Sequence, residues 1–340
     1  MVQGKVVLSG NRATGRLHLG NYFGAVKNWV DLQEKYSCYY FVADWHALTT
    51  DYDDTTRVAD NSLEVLADWL AAGLDPERSV IFLQSFVPEH AELHLLLSMM
   101  TPLGWLERVP TYKEQIRELQ QRDLNTYGFL GYPVLQTADI LLYRADFVPV
   151  GEDQASHLEL SREITRRFNG RFGEVFPEPK ALFTPTPKVP GIDGRKMSKS
   201  YGNAIDLADT PDEIRAKCKS MFTDPTRLRR TDAGHPETCN LFAFHQLVSP
   251  PEVQEKVAHE CRLAQIGCVD DKVLIADQLI AFLEPIRKRR EVFASDRGEL
   301  LNVLRKGSEK ARERAAETMD RVRKGMRLSY EWPAAERVRG

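Results

Sequence analysis

The amino-acid sequence predicts an α/β protein in which a parallel-sheet nucleotide-binding domain comes first and a mainly helical domain follows. Short apolar runs alternate with amphipathic stretches between Lys5 and Gln84, which is typical of a parallel sheet with helical crossovers. From Pro211 onward strand-like runs fade, and long charged amphipathic stretches take their place. The chain has 340 residues, of which 42% are hydrophobic, enough for about two domains that each bury a core.

Three segments in the first part of the chain are predicted strands. They are Lys5–Leu8, the apolar run Cys38–Ala43 and Val80–Gln84. The stretches between them carry apolar residues at helical spacing, and the second helix is expected to stop at Gly73. Right-handed crossovers place the carboxyl ends of parallel strands at one edge of the sheet, where such folds bind ligands. We therefore expect the loop after the first strand to meet a nucleotide.

The later part of the chain contains long predicted helices. Val273–Phe293 is amphipathic and charged, and Ser308–Met326 has alanine, methionine and valine on one face and basic residues on the other. We expect domain limits of 1–203 for the nucleotide-binding domain and 204–304 for the helical domain. Residues 305–340 are expected to form a C-terminal helix that packs back towards the first domain.

Charge and composition limit the class of protein. Lys and Arg number 46 against 49 Asp and Glu, which gives a formal charge of −3 and no basic footprint over the whole chain. No apolar run is long enough for a membrane span, and the first residues lack the pattern of a signal peptide. Five widely spaced cysteines do not suggest a disulfide framework. We expect a cytoplasmic protein without a membrane partner.

Two segments carry residues suited to nucleotide chemistry. Thr14–Asn21 follows the first predicted strand, so its glycines allow close approach of a ligand and the helix start offers N–H donors to phosphate. Gly194–Asn203 contains Lys196 and Lys199, whose ammonium groups suit negative charge that develops on phosphate in a transition state. Each segment alone has an ordinary alternative, a tight turn in the first case and a solvated basic loop in the second.

Together the two segments resemble the paired signatures of class I aminoacyl-tRNA synthetases. His18–Asn21 is similar to the HIGH element, and Lys196–Ser200 matches the KMSKS element letter for letter. Further segments, including Ala43–Ala47, Ala138–Tyr143 and Val148–Gln154, make nearly the whole chain similar to bacterial tryptophanyl-tRNA synthetases. The resemblance implies a Rossmann-like catalytic domain, a homodimer, and the joining of L-tryptophan to tRNA(Trp) with ATP and Mg²⁺.

The resemblance also implies an amino-acid pocket around Asp139, which is expected to accept the indole N–H. An unpaired carboxylate within an apolar segment is costly, so a ligand donor is a natural partner. A helix-capping or salt-bridged aspartate is the ordinary alternative. The other residues expected around tryptophan are Tyr132, His46, Gln136, Gln154, Val148, Val150, Leu8 and Gly10.

For ATP, the resemblance implies contacts from both signature segments and from neighbouring loops. Catalysis is expected to come from positioning and charge compensation, without a protein nucleophile. The residues expected to act in catalysis are His18, Lys196, Lys199 and Lys113. Those expected to contact ATP are Arg12, Ala13, Thr14, Gly20, Asn21, Gly151, Glu152, Asp153, Val189, Lys196, Met197, Ser198, Lys199 and Ser200.

Two other functions stay open at this point. Tyr132, Gln136 and Asp139 have the Y-x₃-Q-x₂-D spacing of tyrosyl-tRNA synthetases. Those enzymes usually carry a tyrosine two residues before Gly10, where this chain has Leu8, so tryptophan is favoured. The second alternative is a synthetase-like protein that binds RNA or tryptophan without catalysis, and the intact signature lysines argue against it.

We expect the tRNA to contact positively charged patches on the helical part of the chain. Arg227–Arg230 and Arg287–Arg290 are the basic runs that suit phosphates. Solvated surface is the ordinary alternative for each run. The resemblance implies that the tRNA contacts both subunits of the dimer.

One departure from the family concerns cysteine. Some bacterial tryptophanyl enzymes hold a four-iron, four-sulfur cluster with the spacing C-x₂₂-C-x₆-C-x₂-C. The matching residues here are Cys239, Cys261, Cys268 and Asp271, so a carboxylate replaces the fourth thiolate and the first spacing is one residue shorter. Because thiolate is the normal ligand of such a cluster, we expect it to be absent, and a bound iron–sulfur cluster stays open as the alternative.

Overall fold

The computed structural model describes residues 4–109, 112, 124–151, 155–183 and 189–330. Within these ranges one sheet is formed by β1 (Val6–Arg12), β2 (Ser37–Ala43), β3 (Ser79–Leu83), β4 (Phe147–Val150) and β5 (Lys180–Phe183). The helices up to β5 are α1 (Leu19–Asn21), α2 (Lys27–Leu32), α3 (Asp44–Asp51), α4 (Val58–Ala72), α5 (Glu89–Ser98), α6 (Leu103–Leu106), α7 (Tyr127–Leu142) and α8 (Ala155–Phe172). Those after β5 are α9 (Pro211–Lys219), α10 (Asn240–Val248), α11 (Pro251–Arg262), α12 (Cys268–Ser295) and α13 (Arg297–Gly325). None of the helices described has both the length and the apolar character that crossing a membrane requires.

All neighbouring strands of the sheet run parallel, in the order β3-β2-β1-β4-β5. β1 pairs with β2 along its whole length, from Val6 opposite Ser37 to Arg12 opposite Ala43. The chain moves outward from β1 to β3 and then returns to the other side with β4 and β5. The strand order therefore reverses between β1 and β4, which is where doubly wound sheets bind ligands. This architecture confirms the predicted α/β fold.

The two faces of the sheet bury separate cores, because successive residues of a strand point to opposite sides. On one face Val7, Tyr40 and Ile81 pack in a core with α4 and α12. On the other face Leu8 and Phe82 pack in a core with α5, α7 and the second half of α13. Burial on both faces explains why these strands are continuous apolar runs in the sequence.

Two long helices, α12 and α13, tie the later part of the chain to the sheet. α12 contacts α4 and α9, and α13 contacts β3, α4 and α5. Arg290 of α12 donates to Asp68 of α4 over 2.5 Å, and both side chains are buried. Ser308 of α13 lies against the edge strand, where the Leu83 N–H donates to its Oγ over 3.4 Å. One arginine of the basic run 287–290 is therefore an internal anchor and not a phosphate contact.

The structure extends some predicted elements and alters one. β1 continues past Leu8 to Arg12, because pairing with β2 holds its polar residues in the strand. The last helix begins at Arg297, well before the predicted start at Ser308. Between α1 and α2 the chain forms a π-helical segment, Tyr22–Val26, which apolar spacing alone does not indicate. The three domain limits stay predictions.

Gly307 lets α13 lie directly against β3, and we predict that Gly307→Ala destabilises the fold. A Cβ atom at this position would lie 1.7 Å from the carbonyl oxygen of Ile81, a backbone atom that cannot rotate away. The free energy of unfolding should fall by about 1–3 kcal/mol, although alanine is the better helix former. Urea unfolding measures the change. Gly128→Ala is the control, since nothing lies within 4 Å of a Cβ built there, and equal stability of both variants would contradict this packing.

Candidate active site

A cavity of about 1630 Å³ opens between the carboxyl ends of β1 and β4. The two strands share one paired position, Val7 opposite Phe147, and then part. Leu8 and Gly10 line the gap from β1, and Val148 lines it from β4. The later part of the chain contributes further wall residues, namely Glu237, Thr238, Asn240 and Ala243. The parting of two strands therefore creates the space, and both parts of the chain enclose it.

Asp139 of α7 lies in the cavity wall with only 1% of its surface exposed. Its Oδ2 accepts a hydrogen bond from His46 Nε2 over 2.7 Å, and its Oδ1 accepts from Gln84 Nε2 over 2.8 Å and from His90 Nδ1 over 2.6 Å. Burial acts to raise the pKa of Asp139, but the donors from His46 and His90 outweigh it and hold this pKa well below its usual range. The carboxylate is therefore a fixed negative charge in the wall.

Most of the residues predicted for an amino-acid pocket line the same cavity as Asp139. Tyr132 and Gln136 precede it by seven and three positions on α7, so all three share one helix face. Gly10 lets β1 approach β2 closely, since a Cβ there would lie 2.5 Å from the carbonyl oxygen of Phe41. The predicted pocket residues that line the cavity are Leu8, Gly10, His46, Tyr132, Gln136, Asp139, Val148 and Val150. Gln154 lies outside the described residues.

His18 lines the cavity and caps the start of α1. Its Nδ1 accepts the Asn21 N–H over 3.3 Å, while Asn21 Oδ1 accepts the His18 N–H over 3.1 Å. Burial, assisted by the nearby Lys199 ammonium, lowers the pKa of His18 to about 4. The imidazole is therefore neutral near pH 7, with Nδ1 engaged as an acceptor and the ring proton on Nε2.

Backbone hydrogen bonds join the first signature segment to the chain that follows the second. The Leu19 N–H donates to Ile205 O over 2.9 Å, and the Leu207 N–H donates to Leu17 O over 2.8 Å. The Leu17 N–H in turn donates to Asp68 Oδ2 over 2.5 Å. Asp68 is buried and also accepts a hydrogen bond from Arg290 of α12. The backbone at Leu17, just before His18, is therefore held by α4 on one side and by Leu207 on the other.

The two signature lysines lie beside the first segment. Lys199 Nζ donates to the carbonyl oxygen of Thr14 over 2.9 Å, and Lys196 lines the cavity. Met197 packs near Gly20, where an added Cβ would come within 3.5 Å of the methionine Cβ. Burial lowers the pKa of Lys199, so an anion at this position would find a poorly solvated ammonium.

Arg12, a departure from the common family sequence, turns towards α3. Its guanidinium donates to Ala47 O over 3.3 Å and to Thr50 Oγ1, and it lies 3.8 Å from the Asp51 carboxylate. These contacts orient the side chain along the end of α3. Arg12 also belongs to the cavity wall.

The predicted ATP residues fall into three groups. Those that line the cavity, besides Arg12 and Lys196, are Gly20, Asn21, Gly151, Val189 and Met197. Those that are described but do not line the cavity are Ala13, just before the first signature segment, and Thr14, Ser198, Lys199 and Ser200 within the two segments. Those outside the described residues are Lys113, Glu152 and Asp153.

Comparison with known proteins places this site in a family. The sequence matches "tRNA synthetases class I (W and Y)" over residues 4–284. A tryptophan–tRNA ligase from Thermotoga maritima is 52% identical, with 95% of this chain and 99% of that protein covered, and one from Aquifex aeolicus is 45% identical over the same shares. The chain belongs to the bacterial tryptophanyl-tRNA synthetases of class I. A Campylobacter jejuni tryptophanyl-tRNA synthetase, solved with ADP and tryptophan, is 35% identical with a TM-score of 0.87, covering 95% of this chain and 100% of that one.

Membership of the tryptophanyl-tRNA synthetases confirms the family predicted from the two signatures. Several cavity features were nevertheless missed by reasoning from the sequence. Gln84, His90 and Tyr143 support Asp139 from behind. Gln84 and Tyr143 follow apolar runs and resemble ordinary core, whereas His90 stands between Glu89 and Glu92 in a segment that resembles surface. Only their contacts in space distinguish them, since Gln84 and His90 bond Asp139 and Tyr143 bonds His90, and no local signal in the sequence records those contacts.

In this tryptophanyl-tRNA synthetase the four residues matched to iron–sulfur ligands do not assemble into a metal site. They are Cys239, Cys261, Cys268 and Asp271. In the part of the chain that the structure describes, no three His, Cys, Asp or Glu side chains converge on a position for a metal ion. Asp271 Oδ1 instead accepts from His245 Nε2 over 3.0 Å, and both side chains are buried. The carboxylate that replaces the fourth thiolate thus has a structural partner.

A guanidinium lies beside two of these thiols. Arg227 Nη1 is 3.8 Å from Cys261 Sγ and 3.9 Å from Cys268 Sγ. Its Nη2 donates to the carbonyl oxygens of Arg230 and Ile266 over 2.8 and 2.9 Å, which fixes the group in place. The guanidinium favours the thiolate form of these cysteines, so it does not by itself argue against a metal. What the donor set lacks is a fourth thiolate, because the carboxylate in that place is hydrogen-bonded to His245, and the residues present therefore do not fit a four-thiolate cluster. The first arginine of the run 227–230 is also an internal contact.

We predict that protein purified without oxygen contains no iron–sulfur cluster, because the fourth ligand position holds a carboxylate bound to His245 and not a thiolate. Iron analysis should give well under about one atom per chain, and absorbance at about 400 nm should be lacking. Asp271→Cys, which supplies a fourth thiolate, is the matched comparison after the same reconstitution with iron and sulfide. Four iron atoms on each wild-type chain would show that the ligand set does assemble.

We also predict that His18 stays neutral down to a pH of about 4. Because this pKa lies below the ordinary 6.5, the unfolded chain takes up a proton between pH 6.5 and 4 that the folded chain refuses. The free energy of unfolding is therefore unaffected by His18 above pH 6.5 and falls as the pH drops through that window. NMR titration of the imidazole, assigned with His18→Asn, measures the value. A pKa near 6.5 would contradict the buried environment.

Proposed function

We propose that the cavity binds L-tryptophan at Asp139 and ATP at the two signature segments, so that the amino-acid carboxylate meets the α-phosphate between them. The chain is a tryptophan–tRNA ligase, as its relatives from Thermotoga maritima and Aquifex aeolicus are. One observation carries the placement of substrates: a buried carboxylate, His18 and Lys196 line the same cavity.

In this proposal Asp139 Oδ2 accepts the indole N–H, and apolar side chains enclose the ring. Leu8, Val148 and Val150 line the cavity and supply these walls. Because Leu8 offers no donor or acceptor to a phenol oxygen, a site of this kind lacks the polar discrimination that tyrosine recognition uses. The proposed contacts with the rest of the amino acid come from Tyr132, His46, Gln136 and Gln154.

The proposed ATP contacts lie at the other end of the cavity. His18 directs its Nε2–H to a phosphate oxygen, since its Nδ1 is already used in capping α1. Lys196, Lys199 and Lys113 neutralise the charge that develops as pyrophosphate departs. Mg²⁺ enters as part of the substrate MgATP. Adenine is placed near the cavity-lining residues Gly151 and Val189.

The proposed reaction has two steps. An oxygen of the tryptophan carboxylate attacks the α-phosphorus, and the bond from that phosphorus to the bridging oxygen of the β-phosphate breaks to release pyrophosphate. A hydroxyl of the 3′-terminal ribose of tRNA(Trp) then attacks the carbonyl carbon of the adenylate, and AMP leaves. The protein forms no covalent bond, so its contribution is positioning and charge compensation.

The proposal extends to a cytoplasmic homodimer that binds tRNA(Trp) on its helical part. That part lines the cavity through Thr238 and Asn240, which gives a short route from bound tRNA to the reacting groups. Arg229 and Lys288 are exposed there and suit phosphate contacts. Sedimentation of the chain with and without tRNA(Trp) tests the dimer.

We predict tryptophan-dependent exchange of pyrophosphate into ATP, with little or no exchange when tyrosine replaces tryptophan. The assay needs no tRNA, so it measures the first step alone. A protein that binds tryptophan without catalysis gives no exchange with either amino acid. Faster exchange with tyrosine than with tryptophan would overturn the proposed substrate.

Lys199→Ala should lower kcat/KM for the exchange by about 100–1000-fold, the typical cost of removing one donor aimed at transition-state charge. The ammonium beside Thr14 is lost, while the fold around it keeps its backbone pairing. Lys310→Ala, an exposed lysine on α13, is the control and should leave the rate unchanged. A Lys199→Ala rate close to that of the control would remove this lysine from the proposed chemistry.

A further inference from the structure

Behind Asp139 lies a group of buried polar side chains to which the two-step reaction assigns no part. This group, the Asp139 support, consists of Gln84, His90 and Tyr143. Gln84 follows β3, His90 lies on α5 and Tyr143 follows α7, and each is 0% exposed. Buried polar groups persist only where their hydrogen bonds are made, so the partners of this group show what it holds.

The hydrogen bonds of His90 run in one direction towards Asp139. Because the ionised carboxylate only accepts, His90 Nδ1 carries the ring proton and donates to Asp139 Oδ1 over 2.6 Å. With that tautomer, His90 Nε2 accepts the Tyr143 hydroxyl proton over 2.8 Å. Tyr143 therefore selects the tautomer that His90 needs in order to donate to the carboxylate.

Gln84 adds a second donor on the same side of the carboxylate. Its Nε2 donates to Asp139 Oδ1 over 2.8 Å, and its Oε1 accepts the His46 N–H over 3.4 Å. Oδ1 thus receives two buried donors from two different elements. Among the described residues, Oδ2 receives one side-chain donor, His46 Nε2. His46 itself lines the cavity, whereas Gln84 and His90 do not, so Oδ2 is the oxygen on the cavity side.

We infer that Gln84, His90 and Tyr143 are positioning residues that hold Asp139 so that Oδ2 presents its remaining acceptor position to the indole N–H. This inference rests on the proposed function and deepens it. It assigns the preference for a substrate with an N–H donor to side chains that do not touch the substrate. None of the three lines the cavity.

The physical reason is that a carboxylate is symmetric about its own axis and has to be oriented by its partners. Two donors on Oδ1 keep that oxygen turned away from the ligand and keep the negative charge compensated while buried. Without the donors from Gln84 and His90, the carboxylate rotates towards the remaining donors, and Oδ2 no longer points to the indole N–H. The loss falls on binding of tryptophan, whereas the ATP end of the cavity is unaffected.

A matched pair of substrates separates this role from a general loss of structure. Tryptophan and β-(3-benzothienyl)alanine have nearly the same shape, but sulfur replaces the indole N–H in the second. The wild type should favour tryptophan in kcat/KM by about 100-fold, since only tryptophan donates to Asp139. A variant that disturbs the Asp139 support should reduce this preference for tryptophan. A variant that disturbs only the packing should lower kcat/KM for both substrates equally.

The experiment measures pyrophosphate exchange with both substrates in four variants. His90→Phe removes the donor to Oδ1, and His90→Asn returns an N–H close to the position of Nδ1. Tyr143→Phe removes only the hydroxyl that selects the tautomer. Tyr39→Phe is the control, because Tyr39 stacks on Tyr143 with ring centroids 5.1 Å apart but its hydroxyl is not part of the Asp139 support.

For His90→Phe we expect KM for tryptophan to rise about 30-fold, kcat and the KM for ATP to stay within about 3-fold, and the preference for tryptophan to fall to about 10-fold or less. Tyr143→Phe should show a smaller change in the same direction, His90→Asn should recover most of the preference, and Tyr39→Phe should match the wild type. An unchanged preference in both His90→Phe and Tyr143→Phe, in an active wild type, would overturn the positioning role. A wild type without tryptophan-dependent exchange would overturn the proposed function itself.

Discussion

The cavity of the candidate active site exists because β1 and β4 separate beyond their one paired position. A strand inside a parallel sheet normally has a partner on each side, and β1 keeps β2 along its length but pairs with β4 at one position. Beyond that position, Ser9 and Asn11 line the cavity where a second neighbouring strand would otherwise lie. The reversal of strand order thus produces an opening at the carboxyl ends, and the helices on both faces keep that opening rigid.

Each end of the cavity keeps a different charge state. Asp139 stays ionised although it is buried, because donors from several elements meet its oxygens. His18 stays neutral because burial and the nearby Lys199 ammonium both disfavour its protonated form. Neighbouring groups therefore set the protonation of both side chains, and neither side chain changes its charge around neutral pH.

Much of the fold was predictable because its strands are buried on both faces, so that β1, β2 and β3 stand out as apolar runs. The signature segments predicted one end of the cavity, since their glycine and lysine patterns have a direct chemical meaning and His18 and Lys196 line it. The support of Asp139 was not predictable: Tyr143 resembles a core residue, His90 stands between two glutamates like a surface residue, and the partner of each is distant in sequence. The sequence misleads in the opposite way at Arg227 and Arg290. Both belong to basic runs that resemble exposed surface, but both make internal contacts. Sequence patterns record exposure on average, but not which distant group a buried polar atom meets.

The helix α13 covers β3, a strand made early in the chain, and the hydrogen bond from the Leu83 N–H to Ser308 Oγ spans 225 positions. During synthesis the outer edge of the sheet is complete long before this helix leaves the ribosome. An uncovered edge strand with apolar neighbours pairs readily with other chains. We therefore expect nascent chains to pass through a stage in which this edge is open to other chains, for as long as translation of the helical part takes. Codon usage and chaperone access in that stretch thus bear on the yield of folded enzyme.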